Sequence, residues 1–412
     1  MNPKFEKLYQ LAYKDLTENL LPWWEKYDVD EEYGGFYGEV GLDNRPIEKA
    51  NKFITLNARL IWTFSNAYRV LGDERWKKLA DRAYDYFMAH FYDKKNGGFY
   101  TTVDYKGDVV DDHKFIYGNA FALYGLSEYA RATGSEEALK YAYEQMLNLD
   151  KHVYDPQYKG YYEAATADWK VNPWIHGVNR VPSDVKTMNT HLHMIEAYTC
   201  HLRVNKAPYV QNKVREHLYV MLNKIVNNET HHYHYFQARD WTPTSTGITY
   251  GHDIEGSWLM LETADVLGEP EAHRKTRDVC VNIARACYEE AFDPRGGLHT
   301  EFDPANGEKS KRFGWWEQNE AVVGFLNAWE ETGDEKFLDA SLKTLEFTLE
   351  HFVDHEKGGW FTGTDLDGNP NRERGLKVAG PVCPYHNGRM SMEIIERYRK
   401  HQEEAVGKAF DL

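Results

Sequence analysis

Apolar residues recur along this chain at two spacings that alternate. In "TLNARLIWTFSNAYRVLG", Leu56, Leu60, Phe64 and Tyr68 fall at helical spacing and the run stops at Gly72. Such steps place side chains on one helix face, and glycine is a common helix terminator. The following segment, "DERWKKLADRAYDYFMAHFYD", starts at an acidic cap and carries far more charge. The pair returns as "GNAFALYGLSEYARATG" with "SEEALKYAYEQMLNLD", and as "EAVVGFLNAWEETG" with "DEKFLDASLKTLEFTLEHF". A helix apolar on most sides is buried, whereas one with a single apolar stripe faces water. The pattern predicts an inner set of helices wrapped by an outer set.

Between the pairs the period shortens. Five stretches share an acidic residue, glycine, then aromatic or alternating residues: "DEEYGGFYGEV", "DKKNGGFYTTV", "DPQYKGYYEAA", "DPRGGLHTEF" and "DHEKGGWFTGT". Glycine permits the positive φ of a tight turn, and alternation predicts a short strand after it. Counted on Gly35, Gly98, Gly160, Gly297 and Gly359, the steps are 63, 62, 137 and 62 residues. The long step is about twice the others, so a degenerate copy is expected near residue 230, at "NNETHHYHYFQARDW". Six such units predict an all-α fold: one (α/α)6 barrel domain over residues 1–412, six helical hairpins with short β-hairpins between them. An open solenoid would need polar capping repeats, and none is obvious.

Composition narrows the function. Of 412 residues, 12 are Trp and 29 are Tyr, and flat amphipathic rings line sugar clefts as readily as they fill cores. A net charge of −16 disfavours nucleic acid and anionic membranes as partners. No apolar run approaches the roughly 20 residues of a membrane span, and "MNPKFEKLYQ" has no signal-peptide core. The four cysteines form no CxxC, consistent with free thiols and a cytoplasmic location. A monomer or weak homodimer acting on a small molecule is expected.

Each inner helix opens on polar residues that a core helix does not require. They are Arg59; Tyr117 and Asn119; Asn189 and His193; His252, Asp253 and Glu255; Trp315, Trp316, Gln318 and Glu320; and His386, Asn387 and Arg389. A single Asn, Asp or His at a helix start is ordinarily a cap. Six starts in register, built from His, Arg and paired Trp, predict a shared pocket at one mouth of the barrel. His232 and His234 of "HHYHYF" can share a strand face and hold a metal, but an exposed polar strand explains them equally well. There is no HExxH, Walker loop or GxGxxG, and no metal or cofactor is expected.

Two histidines facing one carbon can serve as base and acid near neutral pH. A nearby cation stabilises negative charge developing on oxygen, and Glu255, one turn from His252, is placed to orient that imidazole. The set suits removal of a proton α to a carbonyl and its return on the other face. Hydrolysis of a glycosidic bond needs two carboxyls flanking the bond, and Glu255, Glu320 and Asp253 keep that alternative open.

"ITYGHDIE", "GWWEQNEAVVGF", "KTMNTHLHMIEAYT" and "CPYHNGRMSME" resemble the cellobiose 2-epimerases of the N-acylglucosamine 2-epimerase superfamily, and the resemblance covers almost the whole chain. It implies an (α/α)6 barrel and metal-free epimerisation at C2 of a glucose or mannose unit through a cis-enediolate. By position, His252 and His386 resemble the acid/base pair, His193 the residue assisting ring opening, and Arg59 the enediolate stabiliser. Tyr117, Asn189, Glu255, Trp315, Trp316 and Glu320 match sugar-contacting or orienting positions. One departure concerns substrate: the family usually carries a tryptophan just before "CPYH", where this chain has Val382. That brings mannose 2-epimerases, acting on free mannose and glucose, close behind; mannose isomerases and N-acylglucosamine 2-epimerases share the barrel but lack the "PYHNGRM" form. Trp169 and Trp174 are candidates to replace the missing ring.

Overall fold

A computed structural model of the chain describes residues 2–177, 180–373 and 375–410, with side chains through residue 405. Helix α1 (Pro3–Asp15) runs through a π turn at Leu16–Leu20 into α2 (Leu21–Tyr27). Helical pairs follow: α3 (Ile54–Leu71) with α4 (Glu74–His90), then α5 (Ile116–Thr133) with α6 (Glu136–His152). Next come α7 (Met188–Val204) with α8 (Pro208–Val220), α9 (Tyr250–Leu267) with α10 (Pro270–Ala291), and α11 (Trp315–Thr332) with α12 (Glu335–His351). The last helix is α13 (Tyr385–Phe410).

The odd helices from α3 to α13 form the inner ring. Each packs on the next, and α13 returns to α3, while α1 closes the outer ring against α12. The expected (α/α)6 arrangement is therefore present and the open solenoid is not. The apolar first helix of each pair is inside, as its pattern predicts: α3 is buried on nearly every face, whereas α4 buries one stripe including Trp76, Leu79, Ala83 and Phe87. At the junction Gly72 adopts φ 72° and its N–H closes on the Tyr68 carbonyl, then the Asp73 carboxylate caps the next helix by accepting from Arg75 N–H. The chain reverses in two residues.

The glycine hairpins sit at the opposite end, where each outer helix hands over to the next inner one. Bridges Val29–Phe36, Tyr92–Phe99, Tyr154–Tyr161, Phe292–Leu298 and Val353–Trp360 mark five of them. The sixth is the degenerate copy, in which Val226–Asn227 pairs with His232–Tyr233 and His231 takes the left-handed turn at φ 62°, as Lys159 does at φ 67° in the third copy, where the others use glycine. Short antiparallel strands link the rim, and Leu376–Val378 returns to Val40–Gly41 to close it.

Buried ion pairs that pattern reading does not anticipate lock four of these hairpins to the helix starts. Lys52 reaches Asp30 at 2.8 Å, Lys114 reaches Asp93 at 2.7 Å, Lys186 reaches Asp155 at 3.1 Å and Lys377 reaches Asp354 at 2.8 Å, each pair nearly excluded from solvent. In each, the aspartate belongs to the turn and the lysine to the strand that precedes an inner helix. Burial works to raise the Asp93 carboxyl, but hydrogen bonds from Lys114 and Asn96 hold it down at about 2.

Removing one partner of such a pair strands a buried charge, which costs about 3–5 kcal/mol. Lys114→Met is therefore expected to lower unfolding stability by that order in guanidinium titration. Adding Asp93→Asn, which keeps the turn's acceptor but removes the charge, should recover more than half. An unchanged midpoint for Lys114→Met would show that the pair contributes nothing.

Candidate active site

The helix starts of the inner ring surround a cavity of about 680 Å³. Its wall carries Arg59 from α3, Tyr117 from α5, Asn189 and His193 from α7, His252 and Glu255 from α9, Trp315 and Trp316 from α11, and His386 from α13. Glu320 lies one layer deeper, its Oε1 2.7 Å from His386 Nδ1. Glu39, Phe53, Thr55, Phe115, Tyr235 and the Ala379–Val382 loop complete the wall. These come mostly from rim strands and loops, whose residues have no helical spacing to flag them.

Other polar residues at the helix starts do not face the cavity. Asn119 Oδ1 accepts from Phe99 N–H at 3.0 Å and its Nδ2 donates to the Phe99 and Phe115 carbonyls. Gln318 does the same for Leu298, and the Asp253 carboxylate accepts from Tyr233 N–H at 2.9 Å. His191, not singled out by its spacing, accepts from Tyr161 N–H at 2.9 Å through Nε2. These four side chains pin successive glycine hairpins to the inner ring. His232 joins this layer: its ring bridges Asp253 at 2.8 Å and Glu290 at 3.2 Å, while His234 makes no ion pair with the same carboxylates among the described residues.

The two histidines expected to act together both pack against one indole. The ring centroids of His252 and His386 are 4.7 and 5.5 Å from that of Trp316. Gly251 makes this approach possible, since a Cβ there would meet the Trp316 ring at 2.7 Å and Glu317 at 2.4 Å. The His386 Nδ1–H donates to the Glu320 carboxylate, and His193 Nδ1–H donates to Glu196 Oε2 at 2.9 Å, leaving Nε2 of each ring as a free acceptor. His252 Nδ1 is 3.2 Å from Thr249 Oγ1.

Glu255 does not orient His252, contrary to the expectation from their spacing. Its Oε1 accepts instead from Arg389 Nη2 at 2.6 Å, because a guanidinium from α13 is a stronger partner than a neutral ring. The same Nη2 donates to Glu320 Oε1 at 2.7 Å, and Nη1 is hydrogen-bonded to Glu196 and to the Tyr385 hydroxyl. Glu255, Glu320 and His386 form the one group among the described residues with metal-like spacing, their ligand atoms within 4.8 Å, and a guanidinium already stands beside both carboxylates.

Arg59 is different. It is 2% exposed, donates to the Tyr117 hydroxyl at 2.8 Å and the Pro381 carbonyl at 3.3 Å, and lies over the Phe121 and Tyr385 rings at 4.1 and 4.4 Å. No carboxylate pairs with it among the described residues, so its charge is available to an anion forming in the cavity. Of the indoles proposed to replace the missing ring, Trp169 is buried, stacked on His152 with its N–H donated to the Asn96 carbonyl. Trp174 is 86% exposed and does not line the cavity. A second cavity of about 870 Å³ at the other end of the inner helices is lined by paired ions, among them Arg69–Glu128 at 2.7 Å and Arg203–Glu262 at 2.6 Å.

Burial is the largest influence on all three site histidines. It drives His252 down to about 3, helped by repulsion from His193 and His386. It holds His386 well below its ordinary value, with Arg59 and Arg389 adding to it. His193 is lowered as well, with Glu196 opposing. The rings are neutral at neutral pH, the state in which an imidazole accepts a proton.

Comparison with known proteins identifies the family and the fold. The family profile for N-acylglucosamine 2-epimerase (GlcNAc 2-epimerase) matches residues 35–386. The chain is 39% identical over 390 residues to a cellobiose 2-epimerase of Bacteroides fragilis, spanning 95% of this chain and 99% of that protein. It is 35% identical to a cellobiose 2-epimerase of Ruminococcus albus over 93% of this chain and 97% of that protein. The solved structure of cellobiose 2-epimerase from Bacillus thermoamylovorans superposes with a TM-score of 0.89 at 34% identity, covering 95% of this chain and all of the other.

The neutral histidines carry a stability cost in acid. An unfolded chain protonates them near pH 6.5, whereas folded His252 resists until about 3. The unfolded state thus binds more protons between these values, and stability falls as pH drops through that window. His252→Asn is expected to flatten the decline in melting temperature between pH 7 and pH 4. An unchanged slope would show that His252 is charged in the folded protein.

Proposed function

The chain belongs to the N-acylglucosamine 2-epimerase family and is a sugar 2-epimerase, and we propose that it inverts C2 of the reducing-end glucose of a β-1,4-linked disaccharide such as cellobiose, without a metal. The observation that carries this reading is the placement of His252 and His386 around Trp316, with the unpaired Arg59 guanidinium on the same wall. A sugar ring resting on the indole would present its C2 hydrogen between the two imidazoles. His193, with Nε2 free, would assist opening of the ring to the aldehyde. One neutral imidazole then takes the C2 proton and becomes imidazolium. Negative charge moves to O1 beside Arg59, giving a cis-enediolate, and the other histidine returns a proton to the opposite face of C2. The substrate choice rests on the relatives' activity and on a cavity of about 680 Å³, ample for more than one ring.

Hydrolysis lacks support from the same geometry. Retaining glycosidases hold their two carboxyls about 5–5.5 Å apart with the scissile bond between them, whereas Glu255 and Glu320 converge on one nitrogen of Arg389. Asp253 is committed to His232 and the Tyr233 backbone. A preference for free mannose has one observation in its favour, Val382 on the cavity wall. An indole there would add about 1–3 kcal/mol of stacking to a second ring, and valine offers less.

Incubation with cellobiose should yield the glucosyl-mannose epimer, with neither free glucose nor dependence on added metal. Release of glucose would contradict the assignment, and inactivation by EDTA reversed by a divalent ion would overturn the metal-free chemistry. His252→Ala and His386→Ala are each expected to lose at least about a thousandfold in kcat while melting near the wild-type temperature. A variant keeping a tenth of the rate would remove that histidine from acid/base duty. The ratio of kcat/KM for cellobiose to that for mannose decides the substrate, and a ratio below one would favour the monosaccharide.

A further inference from the structure

Three carboxylates surround one guanidinium below the cavity. Glu196, Glu255 and Glu320 are each no more than 2% exposed, and Arg389 is 1% exposed. Glu196 has both oxygens engaged: Oε2 accepts from His193, and Oε1 accepts from Arg389 and the Tyr385 hydroxyl. Glu320 is equally occupied, with Oε1 accepting from Arg389 and His386 and Oε2 accepting from Trp258 Nε1–H at 3.0 Å. Glu255 is not. Its Oε1 shares Arg389 Nη2 with Glu320, and its buried Oε2 has no hydrogen-bond partner among the described residues. A bare anionic oxygen in that position would be unsolvated and repelled by Glu320, whose Oε1 sits on the same nitrogen.

We propose that the Glu255–Glu320 pair holds one proton, carried on Glu255 Oε2, so that Glu255 stands on the cavity wall as a neutral carboxylic acid and donates a hydrogen bond to a sugar oxygen. The role toward sugar rests on the 2-epimerase reading; the protonation state does not. The balance of charge agrees. Arg389 and the His193 hydrogen bond hold Glu196 at about 2 against its burial, so Arg389 is already neutralised once. Burial and then the charge on Glu320 raise Glu255 well above the carboxylate range. Glu320, with both oxygens met by donors, is the better anion of the two and remains the acceptor that sets the His386 tautomer.

The groups facing Glu255 come from every side: Arg59, Tyr117, His193 and Glu196, His252, Tyr233, Glu320, and Tyr385, His386 and Arg389. The arginines stay charged, the histidines are already neutral, and burial pushes Tyr117 up to about 12 and Tyr233 and Tyr385 well above their ordinary range. Glu255 is then the group in this cluster left to lose a proton on the alkaline side of neutrality, and its loss should end activity there.

Infrared difference spectra of the folded protein at neutral pH test the protonation without reference to turnover. The carbonyl stretch of a protonated carboxylic acid is expected in wild type minus Glu255→Gln. It should also vanish in Glu320→Gln, where Arg389 no longer has to serve a competing anion. Absence of the band in wild type would overturn the proposal. Kinetics test the role: Glu255→Gln, whose amide can still donate, should keep kcat/KM within about tenfold of wild type, whereas Glu255→Ala should lose more than about a hundredfold. Glu255→Gln should also lose the alkaline limb of the pH profile. Equal losses in Gln and Ala variants, or a retained alkaline limb, would refute the donor role. A protein that epimerises no sugar, yet shows the band, would instead refute the functional reading alone.

Discussion

The Arg389 guanidinium, buried in the middle of the inner ring, is the interaction on which the site depends. It comes from the last helix and reaches carboxylates on α7, α9 and α11. Through Glu196 and Glu320 it fixes His193 and His386, so two imidazoles on separate helices share one electrostatic frame. Taking such charges out of water is costly, and the network is tolerable because nearly every donor meets an acceptor. The exceptions are informative. Arg389 Nε and Glu255 Oε2 are the network atoms left without partners, and Glu255 lies on the cavity wall.

The ring itself is assembled from a unit that repeats its chemistry as well as its shape. At the hairpin, an aspartate of the turn meets a lysine ahead of the next helix; one layer inward, Asn119, His191, Asp253 or Gln318 holds the backbone after the turn. Two rows of polar residues therefore coexist at the helix starts. One row builds the rim and the other faces the cavity, and the distinction is made by position on the helix rather than by residue type.

Much of this was legible in the chain. The step between glycine motifs located all six units, including the degenerate hairpin where His231 substitutes for glycine, and nine of the ten candidate site residues line one cavity with Glu320 directly behind. The buried lysines were overlooked although "NKFI", "HKFI" and "VKTM" place three of the four two residues before an inner helix; a lysine beside a strand ordinarily signals exposure. Glu196 was missed because an acid within "HMIEAY" resembles any helical surface residue. The pairing of Glu255 with His252 failed for a related reason: spacing along one helix cannot reveal a cation delivered by another 134 positions away.

In the proposed mechanism a proton leaves and re-enters C2 by way of His252 and His386. The most direct measurement is turnover of cellobiose in D2O followed by NMR. The epimer is expected to carry deuterium at C2, delivered by the histidine that has exchanged with solvent, while C3 to C6 keep their hydrogens. An epimer formed with its original hydrogen at C2 would contradict it.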